Sequence, residues 1–298
     1  MKIFITGGTG FIGSHFIRKA LALGHDLTCL RRPGSKTRVV LKSEPTWIEG
    51  SLEDDLRNDM EGCDALLHLA AHSTNAPYDS IEKCLYWNLT VSLQLMQRAR
   101  ESGIRKYIIT GTGFEYGQSG ERYDYIPVDA HLKPSMSYPA SKAAASIAFY
   151  QWAIEHKLKM QYLRIFQVFG EGEEENRLWP SLKKAAIAGE NVDLTEGLQV
   201  RDFTPVENVA NQLIQSLEFD RVEYGKPVFR NIGSGNPCTV RDFAKYWWKK
   251  WGAKGKLNFG SVPYRKNEVM RYIPDISDNI CKENKIQTKI TEAKKVKS

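Results

Sequence analysis

The stretch ITGGTGFIG, residues 5–13, places the three glycines of a GxxGxxG pattern, Gly7, Gly10 and Gly13, between a short apolar strand and a helical pattern at the start of the chain. In such a loop the first glycine permits a tight turn, the second lets the backbone approach a pyrophosphate, and the third lets the helix pack on the strand. The amides of the first helical turn then face an anion. The sequence therefore predicts a dinucleotide-binding loop rather than a purely structural turn, with cofactor contacts from Gly7, Thr9, Gly10, Phe11, Ile12 and Gly13.

Apolar runs and helical periods alternate after this loop. Runs suited to strands buried on both faces occur at 26–30, 64–71, 106–111 and 160–170. Helical periods occur between them, at 81–102 and 138–156. The alternation predicts an α/β fold with a doubly wound, parallel Rossmann sheet and right-handed crossovers.

The alternation breaks after Gly170, where the polar stretch GEGEEENRLWP follows. We therefore expect residues 1–170 to form the dinucleotide-binding domain, with segments near 200–232 returning to its sheet. The ranges 171–200 and 233–282 predict a smaller C-terminal α+β substrate-binding region. Residues 283–298 are basic and lack aromatic side chains, which predicts a loose tail.

The composition is that of a globular protein, with 42% hydrophobic and 26% charged residues. No apolar run approaches the roughly 18 residues of a membrane span. The first strand begins at Lys2, so we expect no signal peptide and a cytoplasmic location. The five cysteines are scattered and never form a CxxC pair, which favours reduced thiols and argues against a metal site.

The net charge of +7 has two interpretations, nucleic-acid binding or attraction for small polyanionic ligands. The best candidate for a nucleic-acid patch is KYWWKKW, residues 245–251. Its apolar side chains recur at helical spacing, and Thr239 with Asp242 forms a cap before them. We favour an amphipathic helix with a solvated lysine face, and assign the basic excess to phosphates on small ligands.

Arg31 and Arg32 stand where a dinucleotide-binding fold usually has an acid that holds the adenosine ribose. A guanidinium pairs instead with a 2′-phosphate, so the pair favours NADP, with NAD as the alternative. The alternative is that Arg31 and Arg32 are two exposed residues at a strand end without a role in cofactor binding. Ser51 and Leu52 follow a third strand, where the adenine edge would lie.

The stretch YPASK puts Tyr138 and Lys142 one helical turn apart on one face. Lowering the pKa of a phenol from about 10 to about 7 requires roughly 4 kcal/mol, which one cation about 4 Å away supplies at an effective dielectric near 20. We therefore expect Lys142 to make Tyr138 a proton carrier near neutral pH. Tyr246 and Lys250 have the same spacing, but only Tyr138 follows a strand that ends in a hydroxyl, at Thr112.

The ordered set TGGTGFIG, HLAA, GTGFEYG, YPASK, LRIFQVFG and RDF resembles the extended short-chain dehydrogenase/reductases, also called NAD-dependent epimerase/dehydratases, which act on nucleotide sugars. The resemblance implies a catalytic triad of Thr112, Tyr138 and Lys142, supported by Asn88. It also implies that HLAA contributes Leu69, Ala70 and Ala71 to the cofactor site. A helix-surface amide is the alternative for Asn88.

Two departures from the family pattern matter. Members that dehydrate 4,6-type sugars carry an acid pair directly after the triad hydroxyl, and here Gly113 and Phe114 stand there. Neither side chain transfers a proton, which argues against such a dehydratase. Gln167 also replaces the asparagine of the strand motif. At the substrate end the resemblance implies a sugar contact from Gln167, contacts in the nucleotide pocket from Asn176 and Trp179, and diphosphate contacts from Arg201 and Arg265. A structural salt bridge with Asp202 is the alternative for Arg201.

These features predict a nucleotide-sugar oxidoreductase, most simply an NADPH-dependent reductase of the C4 ketone of an NDP-4-keto-6-deoxyhexose. The choice of a ketone reductase of this kind also follows from the similarity of the chain to the sugar 4-ketoreductases. A 4-epimerase with tightly bound NAD is the alternative, because both reactions share one triad. A non-enzymatic dinucleotide sensor is the third reading, which the intact triad disfavours. Family members commonly dimerise through the helices that fall here at 81–102 and 138–156, so we expect a homodimer.

Overall fold

The structure is a computed structural model, which describes residues 1–266 and 268–277. Within these residues the main sheet has seven parallel strands, in the spatial order β7-β6-β5-β4-β1-β2-β3. Its strands are β1 (Lys2–Thr6), β2 (Asp26–Arg31), β3 (Thr46–Glu49), β4 (Ala65–His68), β5 (Lys106–Thr112), β6 (Lys159–Ile165) and β7 (Val228–Ile232). The predicted doubly wound Rossmann sheet is confirmed. The predicted tail at 283–298 lies outside the described residues.

Helices cover both faces of this sheet, because its strands are apolar on both sides. The helices of the described residues are α1 (Phe11–Ala22), α2 (Arg57–Met60), α3 (Ile81–Leu85), α4 (Ser92–Glu101), α5 (Ser137–Glu155), α6 (Leu178–Ala188), α7 (Val206–Gln215) and α8 (Val240–Lys250), of which α6 and α8 pack on each other in a separate core. One core layer packs α4 and α5 on the sheet, around Leu95 and Phe149. The other packs α1 and α7 on the opposite face, around Phe16 and Val209.

The predicted helix at 81–102 is not continuous. A π-helical turn, Tyr86–Val91, separates α3 from α4 and contains Asn88. Such turns widen the helix by one residue and are frequent at functional sites.

The strand order reverses beside β1, which lies between β4 and β2. In sheets of this kind the connections that follow the two neighbouring strands at the reversal run in opposite directions. This opens a crevice at the carboxyl ends of those strands. The glycine loop follows β1 directly, so it lies at this crevice. The fold therefore places the predicted cofactor loop where ligands bind to such sheets.

The chain after β6 builds a smaller region from α6, α8 and short strands. These strands pair as Val168–Phe169 with Thr204–Pro205, Val192–Leu194 with Leu257–Phe259, and Val200–Arg201 with both Cys238–Thr239 and Arg271–Tyr272. Helix α8 carries the predicted cap, since Thr239 Oγ1 accepts a hydrogen bond from Asp242 N–H at 3.0 Å. Its buried residues are Phe243, Ala244 and Trp248, so KYWWKKW is the lysine-edged amphipathic helix that the periodicity favoured.

Candidate active site

Gly7 and Gly13 occupy positions that admit no side chain. Gly7 has φ +74°, and a Cβ there would lie 2.5 Å from the backbone nitrogen of Ala70. A Cβ on Gly13 would lie 2.2 Å from the carbonyl oxygen of Gly7. The loop, α1 and the chain after β4 therefore approach one another as closely as backbone allows.

The N-terminus of α1 is open to an anion. Its N-cap, Gly10, has no side chain, and the first turn contains no acidic residue. The first-turn amides have no intrahelical acceptors, so they are available to an external ligand. This turn includes Phe11 and Ile12, and Thr9 stands in the loop before it. These residues fit the pyrophosphate of a nicotinamide dinucleotide, which is the kind of anion that such a helix start binds.

Further candidate cofactor residues lie along the carboxyl edge of the sheet on both sides of β1. Leu69 N–H donates to the carbonyl of Thr6 at 3.1 Å, and Ala71 follows two residues later. On the other side, after β3, Ser51 N–H donates to Asp54 Oδ2 at 2.7 Å. The carbonyl of Leu52 accepts from Arg98 at 3.0 Å. These contacts fix the backbone of both segments at the edge where a cofactor would lie.

Arg31 is already engaged at the end of β2. Its Nη2 donates to Glu49 Oε1 at 2.9 Å, and its guanidinium stacks over the ring of Trp47 at 5.1 Å. Arg32 is exposed, and among the described residues its side chain makes no hydrogen bond or ion pair. The two arginines are therefore not equivalent: one is held by an acid, and the other is open to a ligand.

Tyr138 and Lys142 lie in the first two turns of α5, and both side chains are buried at 8% and 2% exposure. The ring of Tyr138 packs against Tyr78 with ring centroids 5.6 Å apart. Ser141 Oγ donates to the carbonyl of Tyr138 at 2.8 Å, which fixes this end of the helix. The pair is thus rigidly held, as proton transfer requires.

The expected effect of Lys142 on the pKa of Tyr138 is wrong for this structure. Burial raises the pKa of Tyr138 above its usual value, and the charge of Glu115 raises it further. Burial also lowers the pKa of Lys142 to about 8, while Glu115 opposes that change. The expectation failed because desolvation of a phenolate exceeds what the neighbouring charges restore. Tyr138 therefore stands in the site as a neutral phenol, which is a proton donor.

Thr112 ends β5 and is buried beside Glu115. Its Oγ1 accepts a hydrogen bond from Phe114 N–H at 3.3 Å, and its own N–H donates to Glu115 Oε1 at 2.9 Å. These two bonds form a capping box that holds the turn after the strand. The sequence analysis missed Glu115, although a charged residue inside the otherwise uncharged stretch GTGFEYG was a visible signal.

Asn88 is buried at 2% exposure, so it is not a helix-surface amide. Its Oδ1 accepts from His72 N–H at 2.7 Å, and its Nδ2 donates to Ser141 Oγ at 2.9 Å. The residue therefore joins the chain after β4 to helix α5 through the π-helical turn. The supporting role in catalysis that the resemblance implied stays a prediction.

Gln167 and Arg201 meet at a small cavity next to the end of β5. The cavity encloses about 30 Å³ and is lined by Gly113, Phe114, Ile165, Phe166, Gln167, Arg201 and Tyr272. Arg201 is half-buried and pairs with Glu268 at 3.4 Å, while burial lowers its pKa. No carboxylate lines this cavity, since Glu115 is turned away and pairs with Arg164 at 2.8 Å.

The two remaining substrate candidates and one residue that the sequence did not suggest lie at the surface. Arg265 and Asn176 are both exposed. Arg265 and Arg177 both lower the pKa of Tyr78, against the larger effect of its burial. Arg177 also acts on Tyr138 in the same direction. The positive charge near Tyr138 therefore includes Arg177, which stands directly before α6 and next to the predicted Asn176.

Trp179 lies among other aromatic side chains. Its ring meets Phe169, Trp247 and Trp251 with centroids 6.2, 5.5 and 5.6 Å apart. Trp179, Phe169 and Trp247, together with Phe203 and Phe243, line a cavity of about 700 Å³ at the edge of α8. A contact between Trp179 and a nucleotide stays a prediction.

The described residues provide neither a membrane-spanning helix nor a cluster of metal ligands. No helix in ranges 1–266 and 268–277 is long and apolar enough to cross a membrane. The same residues contain no group of three or more His, Cys, Asp or Glu side chains placed to hold a metal ion.

Residues 3–233 match the model of the NAD dependent epimerase/dehydratase family. The chain belongs to this family. The predicted membership and the prediction of an enzyme are both confirmed. The match includes the glycine loop, HLAA, the YPASK helix and the RDF segment, so the candidate site lies within the matched residues.

The sequence relatives of this epimerase/dehydratase chain carry out different reactions. A UDP-glucose 4-epimerase of Corynebacterium glutamicum is 28% identical over 81% of this chain and 78% of the relative. The CDP-abequose synthase of Salmonella muenchen is 24% identical over 90% of this chain and 87% of the relative.

Solved structures agree with the fold. The UDP-glucose 4-epimerase of Thermotoga maritima, solved with UDP-glucose, has a TM-score of 0.81 at 25% identity, over 93% of this chain and 91% of that one. A UDP-N-acetylglucosamine 4-epimerase of Methanobrevibacter ruminantium has a TM-score of 0.83 at 24% identity, over 94% and 91%. The latter comparison concerns the fold alone.

Proposed function

We propose that this protein reduces the C4 ketone of an NDP-4-keto-6-deoxyhexose with NADPH. The observation that carries the proposal is the cavity beside Thr112, which holds no carboxylate. A dehydratase needs an acid there to protonate the sugar, and the acid of this loop is tied to Arg164 instead. Among the sequence relatives, CDP-abequose synthase supports the choice of a deoxysugar.

The residues of the site have distinct roles in this reaction. A bound nicotinamide cofactor supplies the reducing equivalent, held at the glycine loop. Tyr138, a buried phenol, donates its proton to the ketone oxygen as the alcohol forms. Thr112 Oγ1 polarises that oxygen by a hydrogen bond. Lys142 holds the cofactor ribose, and Asn88 keeps α5 in place through Ser141.

The substrate diphosphate would bind to cations near Tyr78 and Arg201. Arg177 and Arg265 act on Tyr78 from the surface, and Arg201 lines the small cavity. A guanidinium is suited to bidentate phosphate contact, so the two arginines that act on Tyr78 and the one at the small cavity support a nucleotide-diphosphate ligand.

The test is consumption of NADPH by the purified protein with a 4-keto-6-deoxy NDP sugar, followed by absorbance. We expect stoichiometric loss of NADPH, and loss of most activity in Tyr138→Phe with cofactor binding retained. Tyr246→Phe is the matched control, because Tyr246 and Lys250 repeat the Tyr138–Lys142 spacing on the exposed side of α8. Unchanged turnover in Tyr138→Phe would contradict the proposal.

A 4-epimerase is the second candidate, and the matches to several 4-epimerases favour it. An epimerase would oxidise and then reduce C4 with one bound cofactor. Conversion of an ordinary NDP-hexose to its C4 epimer, without net loss of NADPH, would therefore support this alternative and exclude the reductase.

The exposed face of α5 supports a homodimer. Ile147 and Tyr150 are 64% and 44% exposed there, and Tyr86 is 46% exposed on the neighbouring π-helical turn. Apolar side chains on adjacent helices form the kind of patch that a second subunit covers. Sedimentation should give a dimer for the wild type and a monomer for Ile147→Lys.

A further inference from the structure

Glu115 is a carboxylate with no exposure to solvent, directly behind the catalytic triad. Its Oε1 accepts a hydrogen bond from Thr112 N–H at 2.9 Å, and its Oε2 accepts from Arg164 Nε at 2.8 Å. Desolvating a carboxylate is costly unless each oxygen is satisfied, and both are. This arrangement ties the end of β5 to β6.

A tyrosine connects the same carboxylate to the catalytic helix. The hydroxyl of Tyr162, on β6, lies 2.9 Å from Glu115 Oε1 and 3.1 Å from the carbonyl oxygen of Lys142. Glu115 therefore shares a partner with the backbone of Lys142, one of the two proposed catalytic residues on α5. A displacement of the carboxylate would be felt at Thr112 and at α5 together.

The strand next to Glu115 makes room for it. A Cβ at Gly111 would lie 2.3 Å from Glu115 Oε1 and 2.3 Å from the ring of Tyr162. Any larger residue at this position would push both away. Gly111 and Glu115 are therefore coupled through space, which indicates a site built around the carboxylate.

The charge of Glu115 acts on both catalytic groups. It raises the pKa of Tyr138 in addition to the effect of burial, and it opposes the lowering of the Lys142 pKa, which burial brings to about 8. Both effects have the same sign, because a nearby anion favours the protonated form of any group. A buried charge is screened weakly, so the effect reaches beyond direct contact.

We propose that Glu115 is a positioning residue for the Tyr138–Lys142 pair, which aligns the end of β5 with α5 and places a buried negative charge behind the pair. The inference rests on the proposed ketone reduction, in which the tyrosine must start with its proton. It deepens that function, since it names the residue that holds the proposed proton donor and its lysine in place.

Other charged and titratable groups surround these residues. Tyr138 is faced by Tyr78, by Cys84 of α3 and by Arg177 before α6. Lys142 acts on the buried His68 of β4. Glu115 is faced by Arg164, Tyr162, Tyr116 and Tyr272. Arg164 also donates to the carbonyl of Val128 at 2.9 Å, so it stays ordered when its partner changes.

The first experiment is the pH profile of kcat/KM for ketone reduction in three variants. Glu115→Gln keeps the shape and removes the charge, so the alkaline limb from Lys142 should move to lower pH by about one unit. Glu115→Asp keeps the charge and shortens the reach, so kcat should fall while the limb stays. Tyr162→Phe should lower kcat in the same way.

Arg164 would be left unpaired in Glu115→Gln, so this variant is also made as Glu115→Gln/Arg164→Met, which removes both charges. The same displacement of the limb is expected. The double variant replaces Glu115→Gln if the single variant does not fold. If the variant lowers kcat but its pH profile keeps the wild-type alkaline limb, then Glu115 is only structural and the proposal fails.

The second experiment needs no turnover. Carbon-13 NMR of ring-labelled tyrosine, with Tyr138 assigned by its absence in Tyr138→Phe, follows ionisation of this phenol directly. Tyr138 should ionise at lower pH in Glu115→Gln than in the wild type, and identical titrations would overturn the inference. A wild type without ketone reductase activity, but with this NMR difference, contradicts the proposed function alone.

Discussion

Arg31 and Glu49 form an ion pair across the carboxyl ends of β2 and β3, with Arg31 Nη2 2.9 Å from Glu49 Oε1. Strands β2 and β3 are neighbours, and Arg31 and Glu49 are direct partners in the register. Arg31 is therefore paired with an acid one strand further along the sheet edge. The edge thus contains an acid that suits a ribose hydroxyl and two arginines that suit a 2′-phosphate.

Arg31→Asp should weaken NADPH binding by about tenfold or more and change NADH binding little, because a charge-assisted hydrogen bond to the 2′-phosphate is lost. Glu49→Gln is the complementary variant. It releases Arg31 and should strengthen NADPH binding. Fluorescence titration of both coenzymes gives the four affinities. Equal weakening of both coenzymes in Arg31→Asp would show that the arginine supports the strand end and does not select the cofactor.

Asn88→Ala should destabilise the protein by about 1–3 kcal/mol, because it leaves buried partners at His72 and Ser141 without their hydrogen bonds. It should also lower kcat, since Ser141 then holds Tyr138 less firmly. Urea unfolding and initial rates measure the two effects. Asn58→Ala, at an exposed amide on α2, is the control. A loss of stability with full kcat would mean that Asn88 supports the fold and not the reaction.

The sequence predicted the sheet and the place of the glycine loop because each depends on local spacing or on a short apolar run, whereas the triad follows from a resemblance and stays a prediction. It could not predict the pKa of Tyr138, which depends on how Tyr78 and α3 cover the ring. It suggested Asn176, whereas the neighbouring Arg177 acts on Tyr138 and Tyr78. The first residue of a helix decides which of two adjacent side chains faces a site. Sequence periodicity locates the first residue of a helix poorly.

The burial of Glu115 could not be predicted from the sequence either. A glutamate in a loop is most simply interpreted as exposed, and only the three-dimensional structure places Arg164 and Tyr162 around it. Its partners are nearly 50 residues away in sequence, with separations of 49 and 47. No local pattern contains that contact.

His68 should make the protein less stable as the pH falls below about 6.5. Burial, with help from the charge of Lys142, lowers the pKa of His68 to about 3 in the folded state. Between these two values the unfolded chain binds a proton that the folded protein does not, so stability falls by roughly 1.4 kcal/mol per pH unit. Urea unfolding from pH 7.5 to pH 5 measures this slope.

The variant His68→Gln cannot ionise, so the difference in slope from the wild type isolates this residue from other titrating groups. His131→Gln, at an exposed side chain, is the control and should keep the wild-type slope. If His68→Gln and the wild type lose stability at the same rate, then another group causes the acid sensitivity.

Gly7→Ala and Gly24→Ala separate backbone strain from steric closure of the cofactor loop. Both glycines have positive φ, +74° and +79°, so each substitution should cost about 1 kcal/mol or more in backbone strain. Only Gly7 also faces backbone, with Ala70 nitrogen 2.5 Å from the added Cβ, whereas Gly24 has nothing within 4 Å.

Gly7→Ala should therefore unfold at lower temperature and lose most cofactor affinity, while Gly24→Ala binds cofactor like the wild type. Thermal unfolding and coenzyme titration measure both effects. Wild-type coenzyme affinity in Gly7→Ala would show that the loop is a structural turn, because a displaced loop cannot keep a pyrophosphate at the start of α1.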